Sequence, residues 1–78
     1  MKKSEFIQKL LETLESEEAV TVNENTVLKN IKGYDSLGIL SLIAMIDKSF
    51  GVKIAGKEIV SLKTVRELIN RIGKDKIK

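Results

Sequence analysis

The stretch from Ser36 to Phe50 constrains this chain more than any other. Its first eleven residues carry no charge, and Leu37, Ile39, Leu40, Leu42, Ile43, Ala44, Met45 and Ile46 crowd into it. Ile39, Leu42, Ile43, Ile46 and Phe50 recur at the spacing of one helical stripe. Leu37, Leu40 and Ala44 recur the same way on an adjoining face. A helix that is apolar on more than one face is either central or docks a partner. We assign the first stripe to the core, where it also borders any cleft for an apolar chain, and the second face to partner contact. Ordinary core under the preceding loop is the alternative for that second face. Asp35 or Ser36 begins this helix, and Gly51 is its natural C-cap.

The rest of the chain is arranged around it. Phe6, Ile7, Leu10, Leu11 and Leu14 form one stripe, predicting a helix from about Ser4 to Ser16. Ser4 is the predicted N-cap, with Glu5 favourably placed in the first turn. Residues 17 to 34 keep no period. Val20-Thr21-Val22 would suit a short strand but has no obvious partner, so we expect an ordered loop pinned by Leu28 and Ile31. Long loops in small domains are usually functional or packed down. Val52-Lys53-Ile54 alternates too briefly for a strand. Gly56 to about Ser61 suits a short helical turn. Thr64-Val65-Arg66-Glu67 reads as a capping box, and Val65, Leu68, Ile69 and Ile72 continue as a stripe closed by Gly73. The charged tail from Lys74 to Lys78 is expected to fray. The predicted fold is all-α: a small four-helix bundle of three main helices and one short one, with a long first loop, as a single domain over residues 1–78.

With 78 residues, no Cys and no His, the chain has no disulfide, no thiolate nucleophile and no Ser-His-Asp triad. A domain of this size has a thin core, which disfavours a deep active site. Glu17 and Glu18 are adjacent and expected in an exposed loop, so they do not face each other across a cleft. Neither catalytic nor metal-ligating residues are expected. No apolar run approaches the roughly 20 residues that span a bilayer, and the N-terminus is amphipathic, unlike a signal peptide. A cytoplasmic monomer is expected.

The net charge of +3 is uneven: six acidic against three basic residues over 1–24, five against eleven over 25–78. Such a basic half raises nucleic-acid binding. However, Lys29, Lys32, Lys48, Lys53, Lys57, Lys63, Arg66 and Arg71 are dispersed, and one Tyr with two Phe gives little to stack on bases. A solvated surface explains them more simply, and no nucleic-acid partner is expected.

Ser36 stands apart by position. It sits where a helix start offers unpaired amides and the positive end of the macrodipole, both of which favour a phosphate. Asp and Ser are also favoured at helix starts for capping alone. Gly33-Tyr34-Asp35-Ser36-Leu37 resembles the attachment motif of acyl carrier proteins. The similarity continues through Leu40-x-Leu42-Ile43-x-x-Ile46-Asp47-x-x-Phe50-Gly51-Val52-x-Ile54 to Thr64-Val65-x-x-Leu68, covering nearly the whole chain.

The resemblance implies a free-standing carrier, not an enzyme. A phosphopantetheinyl transferase would move 4′-phosphopantetheine from coenzyme A onto Ser36, and the arm's thiol would carry acyl intermediates of fatty-acid or polyketide type as thioesters. Asp35 and Leu37 flank the attachment. Asp35 would present the serine or simply cap the helix. Leu37, Leu40, Ala44 and Asp47 match positions contacted by partners, here an acyl- or aminoacyl-activating ligase and acyltransferase or synthase enzymes. The chain departs from the family's acidic second helix: Gly38 and Ser41 stand where acidic residues are usual, and Lys48 follows Asp47. A specialised pathway is therefore expected. Gly38 is shared with carriers that accept D-alanine, which keeps an aminoacyl cargo as the alternative. The Gly-Gly pair of peptidyl carriers is missing.

Overall fold

The computed structural model describes residues 1–16 and 22–78, in the order α1 (Lys3–Thr13), a 3₁₀ turn (Leu28–Asn30), α2 (Ser36–Phe50), α3 (Gly56–Ile59) and α4 (Val65–Ile72). Four α-helices and no strand are present among the described residues, the all-α bundle the periodicities predict. Val20 and Thr21 of the candidate strand, and Glu17 and Glu18, lie outside the described residues.

α1 starts earlier than expected, with Lys2 rather than Ser4 as N-cap. The reason is Glu5, whose carboxylate reaches back to accept the Lys2 amide at 3.2 Å and so satisfies a donor the helix leaves open. α1 also stops earlier, at Thr13. Glu15 turns left-handed at φ 57°, the Glu15 amide donates to Glu12 O, and the Ser16 amide donates to Leu11 O. That pair of bonds is a Schellman stop, made here with Glu at the position glycine usually fills.

α2 lies against both α1 and α3. Phe6 near the start of α1 meets Phe50 at the end of α2, ring centroids 5.9 Å apart, while Leu14 just past the end of α1 reaches Gly38 in the first turn of α2. The two helices therefore run antiparallel. Leu42 and Ile46 are fully buried, and Ile39, Ile43 and Phe50 pack partly buried against them. The core stripe read from the sequence is thus the buried one. Each fully buried Leu or Ile is worth about 1.5–3 kcal/mol. Gly51 ends the helix in left-handed conformation at φ 69°, as its position predicts.

Leu28 and Ile31 are buried, so the first loop is pinned where expected. The loop also caps α4. The amides of Val65 and Arg66 donate to Thr26 O and Glu24 O at 3.1 and 2.9 Å. Glu67 N donates to Thr64 Oγ1 at 3.2 Å. The first three amides of α4 thus have partners, two of them from the loop. Glu24 then pairs through its side chain with Lys3 and Arg66.

The tail is not frayed. Ile77 is buried against the core, Lys78 N donates to Met1 O at 2.8 Å, and the Met1 ammonium donates to Lys76 O at 3.1 Å. One apolar side chain in a charged run was enough to dock it, a signal too short for periodicity to register.

Candidate functional site

Ser36 is the first residue of α2 and is exposed. Asp35 precedes it as the N-cap, in extended conformation, and Asp35 Oδ1 accepts the Gly38 amide at 2.9 Å. The bland reading of Asp35 is therefore met: it caps the helix. The i→i−4 pattern of the helix leaves the Ser36 and Leu37 amides without a partner inside α2. Ser36 thus stands at the electropositive mouth of the helix, beside amides suited to an anion.

Two glycines fix that mouth against α1. Gly33 has φ 94°, and a Cβ there would lie 2.2 Å from Leu14 O. A Cβ on Gly38 would lie 2.1 Å from Gly33 O and 2.9 Å from the Leu14 side chain. Backbone therefore meets backbone at both positions, and no larger residue fits without displacing the start of α2. Gly38 is buried. By sequence it stands at a position where the family's acidic recognition residues are usual. In the structure it is a packing residue, and its glycine is explained by the Leu14–Gly33 contact. Ser41, by contrast, is exposed. Neither glycine's close approach is visible in the sequence, because Leu14 lies some twenty residues before both and the Gly33 carbonyl meets Gly38 only through the turn between them.

Tyr34 sets the other side. Its hydroxyl donates to Ile59 O at 3.4 Å, joining the loop to α3, and burial pushes its phenol up from the usual range. α3 is in turn held to α4 by Glu58, paired with Arg71, which also reaches Lys53 O at 3.4 Å. The hydrogen bond from Arg71 holds the Glu58 carboxyl below the usual carboxylate range.

Of the second apolar face, Leu37 and Leu40 are 74% and 64% exposed, and Val60 after α3 is 58% exposed. Ala44 and Asp47 are exposed too. These side chains are not core under the loop. Leu37 and Asp35 also border an open groove of about 450 Å³ with Lys32, Gly38 and Ser41. A second groove of about 420 Å³ lies between the loop and the segment that follows α3, lined by Val27, Lys29, Tyr34, Val60, Leu62 and Lys63 among others. Among the described residues, no group of three or more acidic side chains could hold a metal ion. No described helix is long and apolar enough to cross a membrane.

A small helical bundle with an exposed serine at a helix mouth has the make-up of a carrier. The chain belongs to the phosphopantetheine-attachment carrier family, whose description, phosphopantetheine attachment site, matches residues 5–72. It is 32% identical over 71 residues to an acyl carrier protein from Onion yellows phytoplasma (strain OY-M), covering 91% of this chain and 93% of that protein. No solved structure matches it. The chain is therefore an acyl-carrier-like, non-catalytic protein whose cofactor is covalent 4′-phosphopantetheine.

Proposed function

We propose that Ser36 is the attachment residue and that the protein shuttles acyl groups between enzymes of a specialised biosynthetic pathway in the cytoplasm. The observation that carries this is the exposed Ser36 side chain at the first position of α2, beside two amides without an intrahelical partner. These groups fit a phosphodiester: the amides and the helix dipole favour its charge, and Lys32, across the neighbouring groove from Asp35 and Leu37, adds a nearby cation. When bound, the cofactor supplies the thiol on which cargo travels, chemistry this chain has no side chain to provide. The protein's own part is to hold Ser36 clear of solvent-excluding walls, through the Asp35 cap and the Gly33–Gly38 seat, and to offer a face to each enzyme in turn.

Leu37, Leu40, Ala44 and Asp47 form that face, met by the phosphopantetheinyl transferase and then by an activating ligase and an acyltransferase or synthase. A largely apolar helix face with Asp47 as its one carboxylate, in place of an acidic one, supports partners other than those of a general fatty-acid system. The packing role of Gly38 removes it as support for an aminoacyl cargo. Nucleic-acid binding is disfavoured because both arginines of α4, the only candidate recognition helix, are held by Glu24 and Glu58.

The test is incubation with coenzyme A and a broad-specificity phosphopantetheinyl transferase, followed by intact mass, alongside Ser36→Ala. A gain of one phosphopantetheine in the wild type alone is expected. A gain retained in the variant would move the attachment elsewhere, and no gain with the source organism's own transferase would defeat the carrier reading.

A further inference from the structure

The charges around the α2–α3 face are lopsided once those already engaged are set aside. Between residues 29 and 63 lie six lysines, Lys29, Lys32, Lys48, Lys53, Lys57 and Lys63, and three carboxylates, Asp35, Asp47 and Glu58. All six lysines are exposed, and none forms a salt bridge among the described residues, where only Lys3, Arg66 and Arg71 do so. Two of the three carboxylates are occupied: Asp35 by the Gly38 amide and Glu58 by Arg71. The neutral Gly38 amide does not cancel the charge of Asp35, so Asp35 and Asp47 remain to offer negative charge.

The excess is not spread evenly. On the α1 side, Lys32 shares its groove with both Glu15 and Asp35, so charge there is balanced. On the α3 side, Lys29 and Lys63 line the groove floored by Tyr34, Leu62 and the exposed Val60, and no acidic residue lines it. Lys57 is one helical turn before Val60. The apolar patch of Tyr34, Val60 and Leu62 is therefore bordered by cations, and Tyr34 is two residues before Ser36.

We propose that the transferase which loads Ser36 docks on this patch through an apolar surface whose α3-facing edge carries carboxylates. Complementary charge steers encounter and fixes orientation, while like charge is penalised. A partner with a basic edge would meet Lys29, Lys57 and Lys63 directly. An acidic edge instead gains three exposed cations that form no salt bridge among the described residues. The inference rests on Ser36 being the attachment site, and it adds the sign of the partner surface, which the fold alone does not supply.

The experiment measures kcat/KM for Ser36 loading by the source organism's phosphopantetheinyl transferase, with coenzyme A saturating, as ionic strength rises. It compares the wild type, K57E/K63E, K57Q/K63Q and K74E. Lys74 lines a different groove, shared with Lys3 and Arg66, and serves as the control. Wild-type kcat/KM is expected to fall with salt. K57E/K63E should lower it by about tenfold at low salt through KM, with kcat unchanged, K57Q/K63Q by less, and K74E not at all. Circular dichroism confirms that each variant is folded, and the salt series on the wild type stands even if the double reversal is not. A wild-type rate that rises or stays flat with salt, or charge reversal that raises kcat/KM, overturns the acidic-edge proposal while leaving the carrier reading intact. Absence of any loading at Ser36 overturns both.

Discussion

Gly38→Ala separates a packed glycine from a merely permissive one, because the two predict opposite signs. In an exposed helix interior, replacing Gly by Ala stabilises by roughly 1 kcal/mol through backbone entropy. Here the new Cβ would fall 2.1 Å from the carbonyl oxygen of Gly33, a backbone atom that also accepts the Asp35 amide at 2.9 Å. It would also lie 2.9 Å from the Leu14 side chain. The side chain can swing aside, but the carbonyl cannot move without disturbing the Asp35 cap. Overpacking of this kind costs about 1–3 kcal/mol, so after the propensity gain a net loss of up to about 2 kcal/mol is expected. For a domain of this size that lowers Tm by up to about 15 °C. Thermal and urea melts followed by circular dichroism measure it, with Gly56→Ala as the contrast. Gly56 is also helical, but nothing lies within 4 Å of its added Cβ, so that change should be neutral or stabilising. If Gly38→Ala matched Gly56→Ala, the close packing of the α2 start on α1 would be refuted.

Four further outcomes follow from the same structure. Asp35→Ala removes the cap on Gly38 and should cost about 1 kcal/mol in urea denaturation, whereas Asp35→Asn keeps an acceptor and most of the stability. Leu42→Ala opens a cavity at a fully buried position and should cost about 2–5 kcal/mol, enough to leave a domain this small largely unfolded by near-physiological temperature in a thermal melt. Ile77→Ala should also destabilise by about 2 kcal/mol or more, as only a docked tail would. A null effect in the melt would return the tail to solvent. The carboxyls of Glu24, hydrogen-bonded first to Lys3, and Glu58, hydrogen-bonded to Arg71, sit below the usual range in the folded state. Their contribution is therefore complete above the ordinary glutamate pKa and is lost as pH falls through the depressed values. Glu58→Gln should flatten the acid limb of a Tm-against-pH profile.

What the sequence determined by itself was whatever repeats locally. Apolar spacing placed the three main helices and picked Leu42 and Ile46 as core, because a 3.6-residue period is written into neighbouring positions. Asp35, Thr64 and Gly51 marked their helix ends for equally local reasons of capping and φ. The motif around Ser36 carries the proposed attachment residue, because it too is written in neighbouring positions. Tertiary structure decided what depends on contact between distant residues. It showed Gly38 to be a packing glycine, since the Leu14 and Gly33 atoms that exclude a side chain come from another helix and its loop. It docked Ile77 and supplied α4 with amide partners from Thr26 and Glu24. It also decided which charges are engaged: pairing consumed Glu58 and the two arginines of α4 and left the lysines beside Val60 facing water. A one-dimensional count of charge cannot distinguish a paired ion from an open one, because pairing is a property of distance in space.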